Sequence, residues 1–459
     1  MTKPQFSLKS NILERTPPGP LGYPLIGVLP HMRRNMLQFL TESVQHYGDV
    51  VLLCMGPKRV TLLCHPDHIA YVLQENHANY RKSEFIKKIK PFLGEGLATS
   101  EGDVWRRQRR LAQPAFHRQR IAALGGVVTD AAEEMLTRWR NFAEGQVNLD
   151  ILQEMMQLTG RIIVRALFGT DLSHSERMLT DEFSIVTQYS LKRILSVIDW
   201  GDFFPTQSRR QFDRAMGHLH QVVWSIIQSR RQGREDRDDL LSMLLHARDS
   251  ETQEHMTDKQ LRDEVMTMFF AGHETTGLAL TWTWVLLSQH PDVEQRLREE
   301  AQSVLQGQVP TFDDLPSLVY ARMVIQESMR LYPPAWVISR AAIHDDEIGG
   351  FRIPANSTLL LSSYLTHRHP KFWNDPDRFD PERFSPSKEE ERPRYAYYPF
   401  SGGPRHCIGE QFAMMEAQLI VATVIQQFRL LPIPGQKIQP DPLLTLRPRN
   451  GFLTALHQV

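Results

Sequence analysis

The segment from Phe400 to Gly409, with the sequence FSGGPRHCIG, carries the most specific chemical signal in the chain. An aromatic residue precedes a Gly-Gly-Pro turn, in which glycine lets the backbone bend tightly. Cys407 then stands directly before a predicted helix, whose terminal N–H groups and partial positive charge favour a thiolate over a thiol. Because the thiolate is the form that binds metals, the segment predicts a metal ligand; the alternative is an ordinary cysteine in a tight turn.

A second group of reactive residues lies within a long apolar stretch, where the sequence reads AGHETT from Ala271 to Thr276. Glu274 is costly in such a setting unless it is hydrogen-bonded or solvated. Thr275 can donate to the carbonyl four residues earlier and loosen the helix locally. Gly272 removes a side chain and so leaves room for a flat ligand. The pattern predicts a local opening beside a carboxylate and a hydroxyl; the alternative is a set of core helix residues.

Both segments resemble motifs of the cytochrome P450 family. The first matches all five fixed positions of F-x-x-G-x-R-x-C-x-G, and the second matches A-G-x-[D/E]-T. The resemblance implies that the cofactor is heme b (iron protoporphyrin IX) and that Cys407 is the axial ligand of its iron. It also implies that Phe400 and Gly409 belong to the heme-binding loop around this cysteine.

The resemblance assigns further roles to the AGHETT segment. Ala271 and Gly272 would lie over the heme. Thr275 would hydrogen-bond the bound oxygen, and Glu274 would help to relay protons. His273 and Glu274 also begin the zinc-protease pattern H-E-x-x-H, but position 277 is glycine, so the second histidine ligand is missing.

Four residues match the positions at which relatives hold the heme propionates: Trp105, Arg109, Arg340 and Arg405. Propionates are carboxylates, which the guanidinium group binds well. Trp105 and Arg109 are four residues apart and share a helix face. For Trp105 taken alone, a surface aromatic of an amphipathic helix is the alternative.

An E-x-x-R pattern places Glu327 and Arg330 on one helix face. The pattern alone is weak, because the polar run after residue 385 contains it twice. Its position resembles that of the family's E-x-x-R, and Arg383 lies in the companion segment PERF. The resemblance implies a buried network of these three residues that shapes the cysteine loop, and we assign them a structural role.

The family's pocket regions are the loop before Trp105, the helical pair around Thr187–Ile227 and the segment after Pro334. By position, the candidates for lining the substrate pocket are Leu97, Ala98, Phe270, Ala335, Trp336, Val337 and Leu444. All are apolar, so we expect a largely apolar substrate. Core packing explains each residue equally well, and fatty acid, terpenoid, steroid and macrolide substrates all remain open.

Secondary-structure signals place these residues on elements. Residues 49–64 read as a β-hairpin, and the chain up to about residue 333 is mainly helical. Thr257 is a plausible N-cap, with Gln260 as its capping-box partner, of a helix of roughly 50 Å that ends before Pro291. A helix is expected over Pro316–Leu331, with the proline in its first turn, and another from residue 408 onward.

Two polar runs, Gln228–Asp239 and Ser385–Arg394, are interpreted as solvated loops. Residues 370–404 are expected to be irregular because they are rich in proline. We find no complete G-x-G-x-x-G pattern; the closest segment, Gly94-Glu-Gly96, lacks the third glycine.

The composition excludes several classes of protein. Lys plus Arg and Asp plus Glu are both 53, which argues against a general nucleic-acid binder. No stretch of eighteen apolar residues occurs, and the first residues lack the apolar core of a secretory signal, so we expect a cytoplasmic protein without a membrane anchor. Cys54 and Cys64 are expected to be small buried hydrophobes, since three cysteines do not make a disulfide framework.

The resemblance covers essentially the whole chain and implies a mainly α fold with small β-sheets, a single catalytic domain over 1–459 and a monomer. The heme would lie between the central helix and the helix after Cys407. The resemblance implies hydroxylation with O2 and, without a fused reductase, electrons from a ferredoxin or flavodoxin with its reductase. Arg106, Arg107 and Arg110 form either a docking face for that partner or a solvated helix face. A peroxide-driven enzyme or isomerase and a non-catalytic heme sensor are the alternatives.

Overall fold

The structure, a computed structural model, describes residues 16–169, 176–195, 206–233 and 239–459. The α-helices in these ranges are α1 Leu29–Tyr47, α2 Pro66–Ala70, α3 Glu84–Lys87, α4 Lys90–Leu93, α5 Gly102–Ala112, α6 Arg118–Ala123, α7 Gly125–Glu144, α8 Ile151–Phe168, α9 Glu176–Leu195, α10 Gln207–Gln232, α11 Leu240–His246, α12 Asp258–Gln289, α13 Pro291–Leu305, α14 Val319–Leu331, α15 Ser363–Thr366, α16 Pro386–Glu390 and α17 Glu410–Ile425. The strands are β1 Val50–Met55, β2 Lys58–Leu63, β3 Tyr80–Lys82, β4 Leu149–Asp150, β5 Ile338–Ala342, β6 Asp346–Ile348, β7 Phe351–Ile353, β8 Thr358–Leu361, β9 Phe428–Pro432, β10 Pro440–Pro442, β11 Leu446–Pro448 and β12 Leu453–Gln458. Helices with small sheets confirm the predicted fold class.

The chain divides into two units. The first, called here the β unit, comprises Met1–Ile86, Ala335–Arg378 and Glu391–Cys407. The second, called the helical unit, comprises Lys87–Pro334, Phe379–Glu390 and Ile408–Val459.

The β unit is built on a five-stranded sheet of order β1-β2-β8-β5-β3. β1 and β2 form the predicted hairpin, with Leu52 opposite Thr61. β8 joins β2 in parallel, and the other pairs are antiparallel. Its buried face carries β-branched and aliphatic side chains, such as Val50, Leu63 and Leu359, which suit a pleated surface.

The helical unit is organised around α12, whose N-terminus has the predicted capping box: Thr257 Oγ1 accepts from the amide of Gln260, and the Gln260 side chain accepts from the amide of Thr257. The helix ends at the residue before His290, ahead of Pro291. α12 packs against α8, α10, α14 and α17, so it is buried on nearly every side. A helix surrounded in this way is apolar over much of its length, and its buried polar residues, such as Asp263, Glu264 and Glu274, need hydrogen-bond partners.

Four boundaries differ from expectation. α14 begins at Val319 because Pro316 lies in a turn after a short 3-10 segment capped by Thr311. The run after Gln228 continues α10 for one more turn, and residues 234–238 lie outside the described ranges. Part of the second polar run forms the short helix α16. α17 begins at Glu410, so two residues separate it from the cysteine that was expected to precede it directly.

Within the described ranges, no helix is both long and apolar enough to cross a lipid bilayer.

Candidate functional site

The cysteine loop is held in the β unit by its own backbone. The amide of Cys407 donates to the carbonyl of Phe400 across 3.0 Å. Gly403 has a φ of +63°, and a Cβ there would lie 1.8 Å from the carbonyl oxygen of Leu73, so only glycine fits. Arg405 is half-buried, whereas Cys407 is exposed and not in a disulfide. Cysteine is usually buried, and this loop instead presents its sulfur at the surface of its unit, as a ligand position requires.

Gly409 is the N-cap of α17, and its own conformation is not left-handed. In the sequence, Cys407 therefore lies three positions before the first helical residue and outside the first turn of α17. The electric field of a helix terminus falls off within about one turn. Its stabilisation of a thiolate is therefore weaker at this position than at a cysteine inside the first turn.

One face of α12 is open where the rest of the helix is buried. Ala271 is exposed and Thr275 is partly exposed, one turn apart on the same side. Thr275 Oγ1 donates to the carbonyl of Ala271 across 2.5 Å, which is the expected bond to the fourth preceding residue. The flanking Phe269 and Leu278 are fully buried. The opening that the sequence predicted therefore lies at the AGHETT segment and at Phe270 directly before it.

Gly272 has another role than the one expected from its sequence. A Cβ at this position would lie 3.0 Å from Cδ1 of Ile163 on α8. A Cβ at Gly277 would lie equally close to Sδ of Met156 on the same helix. These glycines allow two helices to approach closely, and the room at the open face comes instead from the small side chain of Ala271.

Glu274 is 3% exposed and is held by two residues of the antiparallel pair β10 and β11 with its connecting turn, called here the C-terminal hairpin. Its Oε1 accepts from Oγ1 of Thr445 across 2.6 Å and from a guanidinium nitrogen of Arg447 across 2.5 Å. Its Oε2 is buried and has no hydrogen-bond partner among the described residues. Sequence reasoning missed both partners, because nothing local marks residues that lie more than 170 positions away.

His273 is a neutral core residue. Its ring lies 5.3 Å from that of Phe269, and burial lowers its pKa to about 4. The absence of a second histidine at Gly277 and the contact of that glycine with α8 leave no zinc site of the H-E-x-x-H type here.

Glu416 on α17 is a second buried carboxyl that the sequence did not single out. It is 1% exposed, and burial raises its pKa well above its ordinary value while a hydrogen bond from Thr276 opposes this. The same hydrogen bond links α17 to the turn of α12 that follows Thr275. The sequence signal that could have identified Glu416 is its place as a glutamate within the apolar run of α17.

The propionate candidates are divided between the units. Trp105 and Arg109 lie on α5 of the helical unit, four residues apart and both partly exposed. Arg340 lies on β5 of the β unit and donates to the carbonyl of Ser339 across 3.0 Å. Arg405 lies in the cysteine loop. The three arginines are partly exposed, and a guanidinium group suits a carboxylate.

Glu327, Arg330 and Arg383 form a buried network in the helical unit. Arg330 donates two hydrogen bonds to Glu327, across 2.6 and 2.8 Å, and both side chains are fully buried. Glu327 also accepts from the amide of Asp380 and lies 3.4 Å from Nε of Arg383. Burial raises the pKa of Glu327, and these donors oppose that rise. The network ties α14 to the segment PERF.

The arginines considered for partner docking are paired. Arg110 lies 3.0 Å from Asp249 and 2.9 Å from Glu251. Arg107 contacts Glu254 across 3.2 Å, and Arg106 pairs with Asp103 on its own helix. The acidic partners cancel most of the local charge, so the geometry favours a structural role for this face.

The pocket candidates also fall into two groups. Leu97, Ala98, Phe270 and Leu444 of the helical unit are partly exposed. In the β unit, Ala335 and Val337 are partly exposed, whereas Trp336 is 5% exposed and its carbonyl accepts from Oγ of Ser362 and from the amide of Tyr364. Trp336 is thus a core residue of its unit, and the others remain candidates.

A separate cluster in the β unit contains potential metal ligands. Asp49 Oδ1 lies 3.0 Å from Nε2 of His369 and 3.6 Å from Sγ of Cys64. The amide of Lys371 donates to Nδ1 of His369, so the neutral ring carries its proton on Nε2, facing the carboxylate. A metal on Nε2 would turn Nδ1 into a donor opposite another donor. We therefore interpret the cluster as a structural hydrogen-bond network, in which His369 lowers the pKa of Asp49 to about 2.

The residues present fit the donor set that a heme needs. The loop offers an exposed thiol, α12 offers a face lined by small and hydroxyl side chains, and three accessible guanidinium groups suit two carboxylates.

Comparisons with known proteins agree with this fit. The family model "Cytochrome P450" matches residues 17–455. Cyclooctatin synthase of Streptomyces melanosporofaciens is 40% identical over 93% of this chain and 92% of its own length. Cyclooctat-9-en-7-ol 5-monooxygenase of the same organism is 39% identical over 92% of this chain and 90% of its own. The crystal structure of the cytochrome P450DA heme domain superposes with a TM-score of 0.88 at 25% identity, covering 97% of this chain and 98% of that one.

A family model that spans nearly the whole chain, relatives of about 40% identity and a matching heme-domain fold establish the class of the protein. This chain belongs to the cytochrome P450 family, and it is an oxidoreductase with heme b as its cofactor.

Proposed function

We propose that this chain is a monooxygenase that hydroxylates an apolar, terpenoid-class substrate, with Cys407 as the iron ligand and with Glu274 and Thr275 delivering protons. The observation that carries the proposal is the buried Glu274, whose Oε2 has no partner among the described residues and which adjoins the open face at Thr275. A heme protein that only senses a ligand has no need of such a carboxylate. Residues 1–459 act as a single catalytic domain and as a cytoplasmic monomer.

When bound, the heme supplies the oxygen-activating redox chemistry, and the thiolate of Cys407 donates electron density to its iron. The protein residues bind, orient and move protons. Arg109, Arg340 and Arg405, with Trp105, hold the propionates. Phe400, Gly409 and Ala271 shape the surfaces on which the ring rests.

Thr445 and Arg447 occupy Oε1 of Glu274, so Oε2 is the atom left to hold and pass on a proton. The hydroxyl of Thr275 donates its hydrogen bond to the carbonyl of Ala271. The lone pairs of the hydroxyl oxygen can therefore accept hydrogen bonds from other groups. In this proposal Glu274 passes a proton on toward the open face, where the Thr275 hydroxyl can accept it. Positioned proton transfer of this kind contributes at least about 100-fold to a rate.

The substrate class rests on two observations. Leu97, Phe270 and Leu444 are apolar and partly exposed in the helical unit, and such residues bind apolar molecules. The relative named cyclooctat-9-en-7-ol 5-monooxygenase acts, by its name, on a cyclic unsaturated alcohol. Electrons come from a separate ferredoxin or flavodoxin with its reductase.

The test is turnover of cyclooctat-9-en-7-ol by the heme-loaded protein, with hexadecanoic acid as the alternative substrate. We expect the alcohol to shift the iron to high spin and to be hydroxylated when a ferredoxin, its reductase and reduced nicotinamide are supplied. Turnover with peroxide alone at an equal rate would contradict the monooxygenase assignment. A shift with the fatty acid and none with the alcohol would contradict the substrate class.

A further inference from the structure

The segment Gly94-Glu-Gly96, which lacks the third glycine of a dinucleotide-binding motif, forms a loop packed against the first half of α12. The amide of Glu95 donates to Oδ2 of Asp263 across 2.8 Å. The amide of Leu97 donates to Oε2 of Glu264 across 3.1 Å. Two neighbouring carboxylates of one helix therefore hold alternate amides of the loop. Both carboxylates are buried, with exposures of 1% and 0%.

The glycines explain how the backbone can come so close. Gly94 has a φ of +66°, and a Cβ there would lie 2.2 Å from Cγ of Asp263. A Cβ at Gly96 would lie 2.1 Å from Oγ1 of Thr267 and 2.5 Å from the carbonyl oxygen of Asp263. All three distances are shorter than a Cβ contact can be, so a side chain at either glycine would push the loop away from the helix.

Two further bonds secure the loop from its other sides. Nε2 of the buried Gln108 donates to the carbonyl of Glu95 across 2.8 Å. Oγ1 of Thr99 donates to the carbonyl of Gly94 across 2.6 Å. The loop is thus attached to α12, to α5 and to itself, and its backbone has little freedom.

The attachment lies on the face of α12 that bears the reactive segment. Ala271 lies seven residues after Glu264, and Thr275 lies eleven residues after it. At this spacing the three residues lie on one face of the helix. At 1.5 Å per residue, Glu264 is about 10 Å from Ala271 along the axis. Phe270 likewise lies seven residues after Asp263, on the same face of the helix as that residue. The ring of Phe270 packs edge to face against that of Phe92, with the centroids 5.6 Å apart.

We propose that Asp263 and Glu264 are positioning residues that hold Leu97 and Ala98 as a preformed wall of the substrate pocket, at a set distance from Thr275. This rests on the proposed function, because it takes these two residues as pocket-lining. A displacement of a substrate by about 1 Å can change a rate by about 100-fold, so a wall fixed to the reactive helix determines which carbon is oxidised.

The test compares two axial ligands of the heme-loaded protein by spectral titration. Imidazole needs only the iron, whereas 4-phenylimidazole also needs the pocket wall. Glu264→Leu removes the acceptor for the amide of Leu97, so we expect the affinity for 4-phenylimidazole relative to imidazole to fall about tenfold. Glu264→Gln retains an acceptor oxygen, and we expect the ratio to stay within about twofold of the wild-type ratio.

Hydrogen exchange supplies a readout that does not involve the heme. In the wild-type protein the amides of Glu95 and Leu97 should exchange slowly, and Glu264→Leu should accelerate that of Leu97 about tenfold or more. Gly96→Ala should have both effects, whereas Gly126→Ala, at a helical glycine with open space around it, should have neither.

A fall in affinity that is equal for both ligands, or fast exchange of these amides in the wild-type protein, would overturn the proposal. The wild-type exchange measurement decides the matter even where a variant does not assemble with heme. If the terpenoid alcohol is not hydroxylated while the ligand ratio responds as expected, the proposed substrate fails and the positioning role stands.

Discussion

The guanidinium group of Arg447 lies 2.5 Å from Oε1 of Glu274, although the two residues are 173 positions apart in the chain. Arg447 is 22% exposed and Glu274 only 4% by side chain, so the pair joins a nearly buried carboxylate to a residue that still contacts solvent. Leu444, a candidate for contact with substrate, is the neighbour of Thr445, which holds the same oxygen. The C-terminal hairpin thus orients the carboxylate assigned to proton delivery.

Replacing Arg447 by leucine should uncouple electron use from product formation. Glu274 would lose a charge-assisted bond, worth about 1.5–3 kcal/mol, and would no longer be held with Oε2 available. We expect the fraction of electrons recovered in product to fall about threefold or more, with a matching rise in peroxide. Arg449→Leu is the control, since Arg449 only pairs loosely with Asp441 at 3.6 Å. Equal coupling in both variants would refute the orienting role.

Thr275→Ala should release peroxide at the expense of product, because the hydroxyl that passes on the proton is lost. We expect product formed per electron to fall about tenfold, with little change in substrate affinity. Thr281→Ala removes the same kind of bond, to the carbonyl of Gly277, from a fully buried position of α12. Coupling that drops no further in the first variant than in the second would argue against the role of Thr275.

Arg330→Ala should destabilise the protein by about 3–5 kcal/mol, because it leaves Glu327 buried without its charge partner. The measurement is the denaturant midpoint of the heme-loaded protein, together with the fraction of chains that retain heme. Arg106→Ala breaks an exposed pair with the same spacing and should change the midpoint little. If the network is structural, the Arg330→Ala protein that retains heme should couple electron use to product formation as the wild-type protein does. A loss of this coupling would contradict the structural role.

His273 makes stability depend on pH in an accessible range. Its pKa is about 4 in the folded protein and 6.5 in an ordinary setting, so between these values the unfolded chain binds a proton that the folded one does not. Stability from this group is complete above pH 6.5 and is lost as the pH falls toward 4, by about 3 kcal/mol in all. His273→Gln should flatten the unfolding free energy over that interval, and the exposed His457→Gln should leave the slope as it is. A slope unaffected by His273→Gln would show that the ring is not the responsible group.

The parts of the fold that depend on neighbouring residues were predictable from the sequence. The capping box of Thr257 and Gln260 and the tight turn at Gly403 were predictable, because each involves neighbours in the chain. The hairpin of β1 and β2 was also predictable from two apolar runs and a short turn.

Contacts between distant segments were not predictable from one sequence. Nothing near Glu274 indicates that Arg447 will reach it, and nothing near Gly272 indicates that a side chain of α8 will occupy the space beside it. The same holds for Glu264, whose bond to the amide of Leu97 spans 167 positions. Periodicity and capping describe single elements, whereas these contacts depend on how the elements pack.

The most direct test of the account is the absorption spectrum of the ferrous carbon monoxide complex in three single variants. Cys54→Ala and Cys64→Ala alter cysteines of the hairpin region and should retain the red-shifted Soret band of a thiolate-bound heme. Cys407→Ala should bind little heme or show a band without that shift. A red-shifted band that survives in Cys407→Ala, or is lost in either of the other two, would contradict the assignment of Cys407 as the iron ligand.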